Sequence, residues 1–418
     1  MATIRNRPIN PFYTGIVIPD EYFCDRKDET EKIISLISNG NNVVLKAQRR
    51  IGKSSLIHHI FNQERIKEGY NTLYVDLFGT KNYDDFHIAF QTRLLNASFA
   101  RSTKMKREFA QMVKGINISL GSVDPLTGRV SLPSIGTTPS QLPRIPLDDL
   151  FAFLEKTKKK NLIVFDEFQQ IEYYPERMAA ILRSYVQSMN NTKFIFSGSS
   201  RHMLDLMFLN SNQPFYKSSS NIDLDIIEYG EYEQFVTRCF GKYEKAMEPD
   251  AIRFVYDLFL GETAPMQETL NQVFSGADTG SAVGIPNVCE AIGTVLDSKD
   301  ESFRARLNRI EKEKTRNTLY CIAAQGIASN LTSSETMKRF ALDNASSVQN
   351  ALISLLDDNN PIIRKLTKGT YIIEDRLFEL WIAREGGYLE IKYESAADRF
   401  HRQRLLEHPS FKPIAPDN

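Results

Sequence analysis

The sequence has few cysteines, no net charge and no long apolar run, and each of these shortages excludes a class of protein. Its 4 cysteines stand far apart without a CxxC pair, which argues against a zinc site and a disulfide framework. Its 52 basic residues balance 52 acidic ones, so no overall field would hold it on nucleic acid or an anionic membrane. No stretch approaches the roughly 18 apolar residues of a membrane span, and the N-terminus lacks the apolar core of a secretory signal. We therefore expect a cytoplasmic protein with no membrane partner.

What the sequence does contain is ordinary globular composition, with 418 residues of which 42% are hydrophobic and 25% charged. This length predicts two to three domains. In the first half, apolar runs alternate with amphipathic sequence; the runs are NNVVLKA, NTLYVDLF, NLIVFDEF and TKFIFSGSS. That alternation predicts a parallel sheet covered by helices. A segment at about 115–135 contains Asp124, Pro125 and Gly128, and we interpret it as an inserted hairpin.

Beyond residue 228 the strand pattern stops. Consecutive amphipathic stretches over 229–300 predict a helical lid domain. Residues 301–381 then read as a long helix to Ala324, a short helix from Ser334, a third helix over Ser346–Leu356 and a hairpin turning at Lys368 and Gly369. This order is typical of a winged helix. The remaining residues, 382–418, form a tail too short for a further domain.

The run NNVVLKA leads directly into QRRIGKSS and an amphipathic helix, the strand–loop–helix setting of a P-loop. In a P-loop, backbone N–H groups and a helix N-terminus hold phosphate oxygens, so ATP with Mg²⁺ is the predicted cofactor pair. Lys53 would reach the β and γ phosphates, and the Ser54 hydroxyl would bind the metal. The predicted nucleotide-binding residues are Ala47, Gln48, Arg49, Arg50, Ile51, Gly52, Lys53, Ser54 and Ser55. Ala47 stands where the strict pattern has Gly, which a negative φ tolerates.

Two further strand ends carry polar residues. Asp166 and Glu167 follow the run NLIVF, where parallel sheets bind ligands. Asp166 fits a second metal ligand, and Glu167 fits the group that orients or deprotonates the attacking water. Ser199 follows the run TKFIF and is our candidate for sensing the γ phosphate. The alternatives are a helix-capping acid pair for the first motif and a plain Ser/Gly turn for the second. The predicted fold class is therefore an α/β P-loop NTPase core over 1–228, with the lid and the winged helix after it.

These motifs, with YFCDRKDE, YVDLF, FDEFQQI and the ending YIIEDRLFELW, occur in an order that resembles the archaeal-type P-loop ATPases of the AAA+/STAND superfamily. The resemblance covers about residues 21–381 and implies ATP hydrolysis. It also implies that GETAP is similar to the family's adenine-side element, which assigns Pro265 to the nucleotide; a plain helix break is the alternative.

The family's usual arginine near the γ phosphate is missing, because the corresponding segment, PFYKSSS, has Lys217 and Ser218. Arg49 and Arg50 match the family loop but fit a solvated charge equally well. Two other arginines, Arg183 and Arg201, remain as candidates for sensing the γ phosphate.

The winged helix suggests DNA binding, but its charges do not favour it. The predicted recognition helix Ser346–Leu356 has no Lys or Arg and runs into Asp357 and Asp358. Any DNA contact should therefore be weak and should come from the wing, through Arg364, Lys365 and Lys368. A winged helix used for packing or for protein contact is the other interpretation.

No other catalytic pattern occurs beside the P-loop. We therefore expect a Mg-dependent ATPase that acts as a nucleotide-controlled switch, in which slow hydrolysis times the contact with a partner. The candidate partners are an unidentified protein and a second copy of the chain bound in one nucleotide state. The alternative is an ATP-regulated DNA-binding protein, similar to initiators or repressors, that uses the winged helix.

Overall fold

The computed structural model describes residues 10–101, 144–357 and 361–386. They divide into two compact units. The sheet unit contains residues 26–48 and 53–225, and the helical unit contains the other described residues, among them the loop Arg49–Gly52. The predicted hairpin at about 115–135 and the predicted tail from residue 387 onward lie outside the described residues. The predicted three-domain boundaries stay a prediction.

The sheet unit is built on five parallel strands in the order β2-β3-β4-β1-β5. The strands are β1 (Val43–Ala47), β2 (Tyr70–Asp76), β3 (Lys160–Asp166), β4 (Thr192–Gly198) and β5 (Ser220–Leu224). The first four coincide with the predicted apolar runs. In this order β4 lies between β1 and β3, so the ends that carry the P-loop, Asp166 and Ser199 share one edge. The predicted α/β fold class is confirmed.

Helices flank this sheet, and their apolar faces form an aromatic core with it. They are α1 (Lys27–Ser38), α2 (Lys53–Asn62), α3 (Glu64–Gly69), α4 (Tyr83–Arg101), α5 (Leu147–Lys156), α6 (Met178–Ser188) and α7 (Arg201–Leu209), with a 3-10 helix at Phe168–Tyr173. Phe165 of β3 stacks against Phe194 and Phe196 of β4 and packs on Phe86 and Phe90 of α4. Burying such rings is the main driving force for this layer.

The helical unit begins with the predicted lid. Its elements are α8 (Tyr229–Gly241), β6 (Ala246–Met247), α9 (Pro249–Leu258), α10 (Thr263–Gly276), β7 (Ala282–Val283) and α11 (Ile285–Ser298). The two short strands pair in parallel, and β7 lies in the run of small residues SGADTGSAVG. Within the described ranges, no helix is long and apolar enough to cross a membrane.

The winged helix completes the helical unit. It comprises α12 (Asp300–Asn308), α13 (Glu313–Gln325), α14 (Ser334–Arg339), α15 (Ala345–Leu355), β8 (Ile363–Thr367), β9 (Thr370–Ile373) and α16 (Arg376–Glu385). The hairpin turns at Gly369, whose φ of 81° requires the freedom of glycine. The predicted long helix from Glu301 to Ala324 is wrong: α12 ends at Asn308 and α13 begins at Glu313, because Ile310 leaves the helical path and is buried at 8% exposure.

Candidate functional site

The loop between β1 and α2 contains two residues in the left-handed backbone conformation that favours glycine. Arg50 has a φ of 66° and Gly52 has a φ of 87°. An added side chain at Gly52 would be strained, which explains the glycine of the motif. Lys53 then begins α2, so the first backbone N–H groups of this helix have no partners within it. Such a helix N-terminus attracts phosphate.

Lys53 is buried at 7% exposure, and its ammonium faces the ends of β3 and β4. It forms a very short ion pair with Asp166 and donates to Ser197 Oγ at 3.0 Å. It also lies 3.4 Å from Glu167 Oε1. The predicted P-loop lysine thus meets the predicted acid pair, Asp166 and Glu167, at the end of β3.

Asp166, the main partner of Lys53, is 4% exposed. Burial alone would raise its pKa, but Lys53 and the hydrogen bonds from Lys53, Ser197 and Tyr74 lower that pKa to about 2. Asp166 is therefore ionised at neutral pH. Ser54 Oγ donates to its Oδ2 at 3.1 Å, and the Tyr74 hydroxyl donates to the same oxygen.

Asp76 ends the neighbouring strand β2 in register with Asp166. Burial raises the pKa of Asp76, and the charges of Asp166 and Glu167 raise it further. The carboxylates of Asp76, Asp166 and Glu167 therefore place more negative charge at this edge of the sheet than Lys53 alone balances. A cation would relieve this repulsion.

The oxygens of Ser54 and Asp166 fit Mg²⁺, which prefers hard oxygen ligands and usually keeps several waters. They lie 3.1 Å apart, a separation that suits two adjacent ligands of one octahedral ion. The chemistry of this donor set therefore suits the predicted metal.

Glu167 also has left-handed backbone, with a φ of 52°. Its Oε2 accepts hydrogen bonds from Gln169 Nε2 at 2.6 Å and from Ser199 Oγ at 2.7 Å. The structure thus brings the predicted water-orienting acid into contact with the predicted γ-phosphate sensor. A non-glycine residue held in this conformation costs on the order of 1 kcal/mol, and such strain clusters at functional sites.

Other predicted residues of the loop take different places. Ala47 and Ile51 are buried, whereas Gln48, Arg49 and Ser55 are half-buried. Pro265 is buried in the first turn of α10 in the helical unit.

Two of the candidate arginines have partners of their own. Arg201 donates to the backbone oxygen of Leu224 at 2.6 Å and to Asp225 Oδ1 at 2.8 Å. Arg50 Nη1 donates to the backbone oxygen of Glu374 at 2.6 Å, and its Nη2 donates to Asp375 Oδ2 at 2.8 Å. Arg50 is therefore not a solvated charge, which was one of the two interpretations that the sequence allowed.

Sequence reasoning missed three polar residues at this edge, Tyr74, Asp76 and Gln169, and it placed Ser197 only among the hydroxyls at the end of the run TKFIF. Asp76 had a usable signal, because it stands at the end of an apolar run as Asp166 does. Tyr74 and Gln169 had none, because their roles follow only from strand register and from a turn at Glu167.

A parallel sheet with a P-loop after β1, an acidic strand end at the same edge of the sheet and a C-terminal winged helix are together the features of a P-loop ATPase. Residues 23–263 match the family described as the ATPase domain predominantly from Archaea. Residues 301–384 match a probable winged helix domain. Since the first match covers more than half of the 418 residues, the chain belongs to that ATPase family. The predicted family and enzyme class are confirmed.

Solved structures share the fold at low sequence identity. A Walker-type ATPase of Pyrococcus abyssi is 17% identical, with a TM-score of 0.58 over 89% of this chain and 99% of that chain. The ORC2 protein of Aeropyrum pernix, solved as ADPNP–ADP complexes, is 14% identical, with a TM-score of 0.54 over 91% of this chain and 98% of that one. No curated protein matches the chain.

Proposed function

We propose that this ATPase is a nucleotide-controlled switch, in which nucleotide binding at the phosphate-binding loop changes the contacts of that loop with the winged helix. The observation that carries the proposal is the pair of hydrogen bonds from Arg50 of the P-loop to Glu374 and Asp375. The STAND type of mechanism, slow hydrolysis and the identity of the partner belong to this proposal.

The hydrolytic site follows from the roles predicted for its residues. Lys53 and the N–H groups of residues 47–55 would bind the phosphates, and Ser54 and Asp166 would hold Mg²⁺. When bound, Mg²⁺ would neutralise charge on the β and γ phosphates. Glu167 accepts a hydrogen bond from the attacking water, and Ser199 lies on the same carboxylate at 2.7 Å. Lys53 now pairs with Asp166 and would turn its charge toward phosphate when ATP binds.

Arg50 is bonded to two parts of the helical unit at once. Its backbone oxygen accepts from Thr263 Oγ1 at 3.0 Å and from Ala264 N at 3.0 Å, in the first turn of the lid helix α10. Its guanidinium bonds Asp375, which caps the winged-helix element α16 by accepting from the N–H of Phe378 at 3.3 Å. A change in the conformation of the loop would therefore alter the hydrogen bonds at the start of α16.

Phosphate offers Arg50 a second anionic partner. A guanidinium binds phosphate and carboxylate in similar ways, so the two anions compete for it. A ligand shifts a conformational equilibrium only through its different affinity for the two states. The state in which Arg50 binds Asp375 and the state in which Arg50 binds phosphate would differ in their affinity for the nucleotide.

Hydrogen exchange of residues 374–380 tests the switch. With a saturating non-hydrolysable ATP analogue and Mg²⁺, we expect these amides to exchange at least several-fold faster than in the nucleotide-free chain, and ADP to give a smaller change. Arg50→Ala should exchange fast in every state. Arg306→Ala is the matched control, because Arg306 also bonds Asp375 Oδ2, at 3.1 Å, but lies outside the P-loop. It should keep the nucleotide response. Equal exchange with and without bound nucleotide would contradict the switch.

The alternative, a DNA-binding ATPase, has support only from the wing. Lys365 and Lys368 are exposed there. Arg364 is not available, because it pairs with the buried Glu262 at 2.7 Å. The outward face of α15 exposes Ser346, Gln349, Asn350 and Ile353 but no cation. A protein partner, which includes a second copy of the chain, is therefore the better proposal for the output.

A further inference from the structure

Gln169 lies two residues beyond Glu167 in the 3-10 helix Phe168–Tyr173 and is 3% exposed. Its Nε2 donates to Glu167 Oε2 at 2.6 Å. Ser199 Oγ donates to the same oxygen at 2.7 Å, whereas the other oxygen, Oε1, lies 3.4 Å from Lys53 Nζ. One carboxylate oxygen of Glu167 is thus fixed by two donors, and the other lies on the side of the phosphate-binding lysine.

The hydrogen bond from Gln169 is made at a cost to its own amide. Its Oε1 is buried and has no hydrogen-bond partner among the described residues. Buried polar groups are rarely left this way, because the group gives up water without replacement. Packing alone does not explain an amide here, since an apolar side chain would fill the space without that loss.

Gly198, the last residue of β4, provides the room for this side chain. A Cβ at position 198 would lie 2.1 Å from Gln169 Oε1, closer than real contacts allow. The next contact, Leu204 Cδ1, would be 3.1 Å away. The absence of a side chain at residue 198 is therefore what permits the position of Gln169.

From these contacts we infer that Gln169 is a positioning residue for ATP hydrolysis, which holds the Glu167 carboxylate so that Oε1 faces the attacking water. The inference rests on the proposed role of Glu167. Gln169 touches neither nucleotide nor water in this scheme and acts through Glu167. It should therefore affect the turnover number and leave nucleotide affinity unchanged.

Three variants test this role by different physical means. Gln169→Ala removes the donor, Gln169→Glu keeps the shape but replaces the donor with an anion, and Gly198→Ala displaces an intact Gln169. Each should lower kcat by about 10- to 100-fold, while the Kd for Mg·ATP by calorimetry stays within about 2-fold. Gln170→Ala is the matched control, because Gln170 is the adjacent residue, has the same side chain and is 5% exposed. Its kcat should stay near that of the unaltered protein.

Wild-type kcat in Gln169→Glu would overturn the inference, because it would mean that only the shape of the side chain matters. An equal loss in Gln170→Ala would overturn it too, as a general packing effect. If Gln169→Ala does not fold, Gln169→Glu and Gly198→Ala still decide the matter. Glu167→Gln separates the two proposals: full hydrolysis in that variant removes the role of Glu167 itself, whereas loss there with normal Gln169 variants removes only the role of Gln169.

Discussion

The charged groups of Lys53 and Glu167 lie 3.4 Å apart, yet substitutions of these two residues should have different effects on nucleotide binding and hydrolysis. Lys53→Ala should weaken Mg·ATP binding by at least about 100-fold, because it removes a charge-assisted contact to phosphate. Glu167→Gln should bind normally and lose about 100-fold or more of kcat, because the amide is a poor proton acceptor. Calorimetry and steady-state hydrolysis separate the two outcomes. Normal binding by Lys53→Ala would contradict the P-loop assignment.

Lys53→Ala has a second effect, which must be measured alongside binding. Without Lys53, the buried Asp166 keeps only neutral donors such as Tyr74 and Ser54. An uncompensated buried charge lowers stability by roughly 3–5 kcal/mol. Thermal unfolding of the variant is therefore needed to show that lost binding does not come from lost folding.

Glu262 should make stability depend on pH near neutrality. Burial raises its pKa from the ordinary 4.5 to about 7, although Arg364 and Arg376 oppose this shift. The folded chain therefore keeps a proton that the unfolded chain releases between pH 4.5 and 7. The free energy of unfolding should fall across that window as the pH rises, by on the order of 1–3 kcal/mol.

Denaturant unfolding at several pH values tests this, with Glu262→Gln compared against the unaltered chain. The neutral amide should remove the fall. Glu301→Gln, at an exposed position of α12, should keep it. The same pH dependence in all the proteins would mean that Glu262 is not the titrating group.

How much of the site could be predicted depends on whether a residue's role is local. The P-loop residues and Asp166–Glu167 were predictable, because strand, loop and helix follow one another along the chain. Tyr74 was not, since its hydroxyl reaches Asp166 only when β2 pairs with β3 in the observed register. Gln169 needed the left-handed turn at Glu167, which no neighbouring glycine signals.

At the scale of elements, the four strands with apolar runs were predicted well and the edge strand β5 was not. Runs such as LIVF are apolar throughout because β3 is covered on both sides. The edge strand β5 is only partly buried, so its sequence SNIDL lacks that pattern. The break between α12 and α13 also has no Pro or Gly to mark it, and only the burial of Ile310 explains it.

The wing is the element in which DNA binding is tested. Because Arg364 is paired with Glu262, we expect Lys365 and Lys368 to carry any DNA contact, with a salt slope of about 2 and little sequence preference. Lys365→Ala with Lys368→Ala should weaken binding to all sequences alike in a fluorescence-anisotropy titration. Asn350→Ala, on α15, should bind as the unaltered chain does. A sequence-selective complex lost only on Asn350→Ala would show that α15 reads bases and would favour an initiator-like function.

The whole molecule shares its fold with solved structures to which its sequence is hardly similar. The chain is only 17% identical to the Pyrococcus abyssi ATPase and 14% identical to the Aeropyrum pernix ORC2 protein. The fold persists at such low identity because it depends on burial patterns rather than on particular side chains. The contacts of Arg50 with Asp375 and of Arg364 with Glu262 depend on particular side chains. They join residues far apart in the chain, so no local pattern could have revealed them.

The lid and the winged helix share one hydrophobic core, although the sequence marks them as separate modules. Leu296 of α11 belongs to the same buried cluster as Phe303 and Trp381, and Arg384 of α16 bonds Asp297 at 2.7 Å. Cutting the chain at residue 300 would expose the inner face of α11 to water. Gene fusions and exchanges between relatives should therefore break elsewhere, and the region from residue 226 to 386 should be inherited as a single piece.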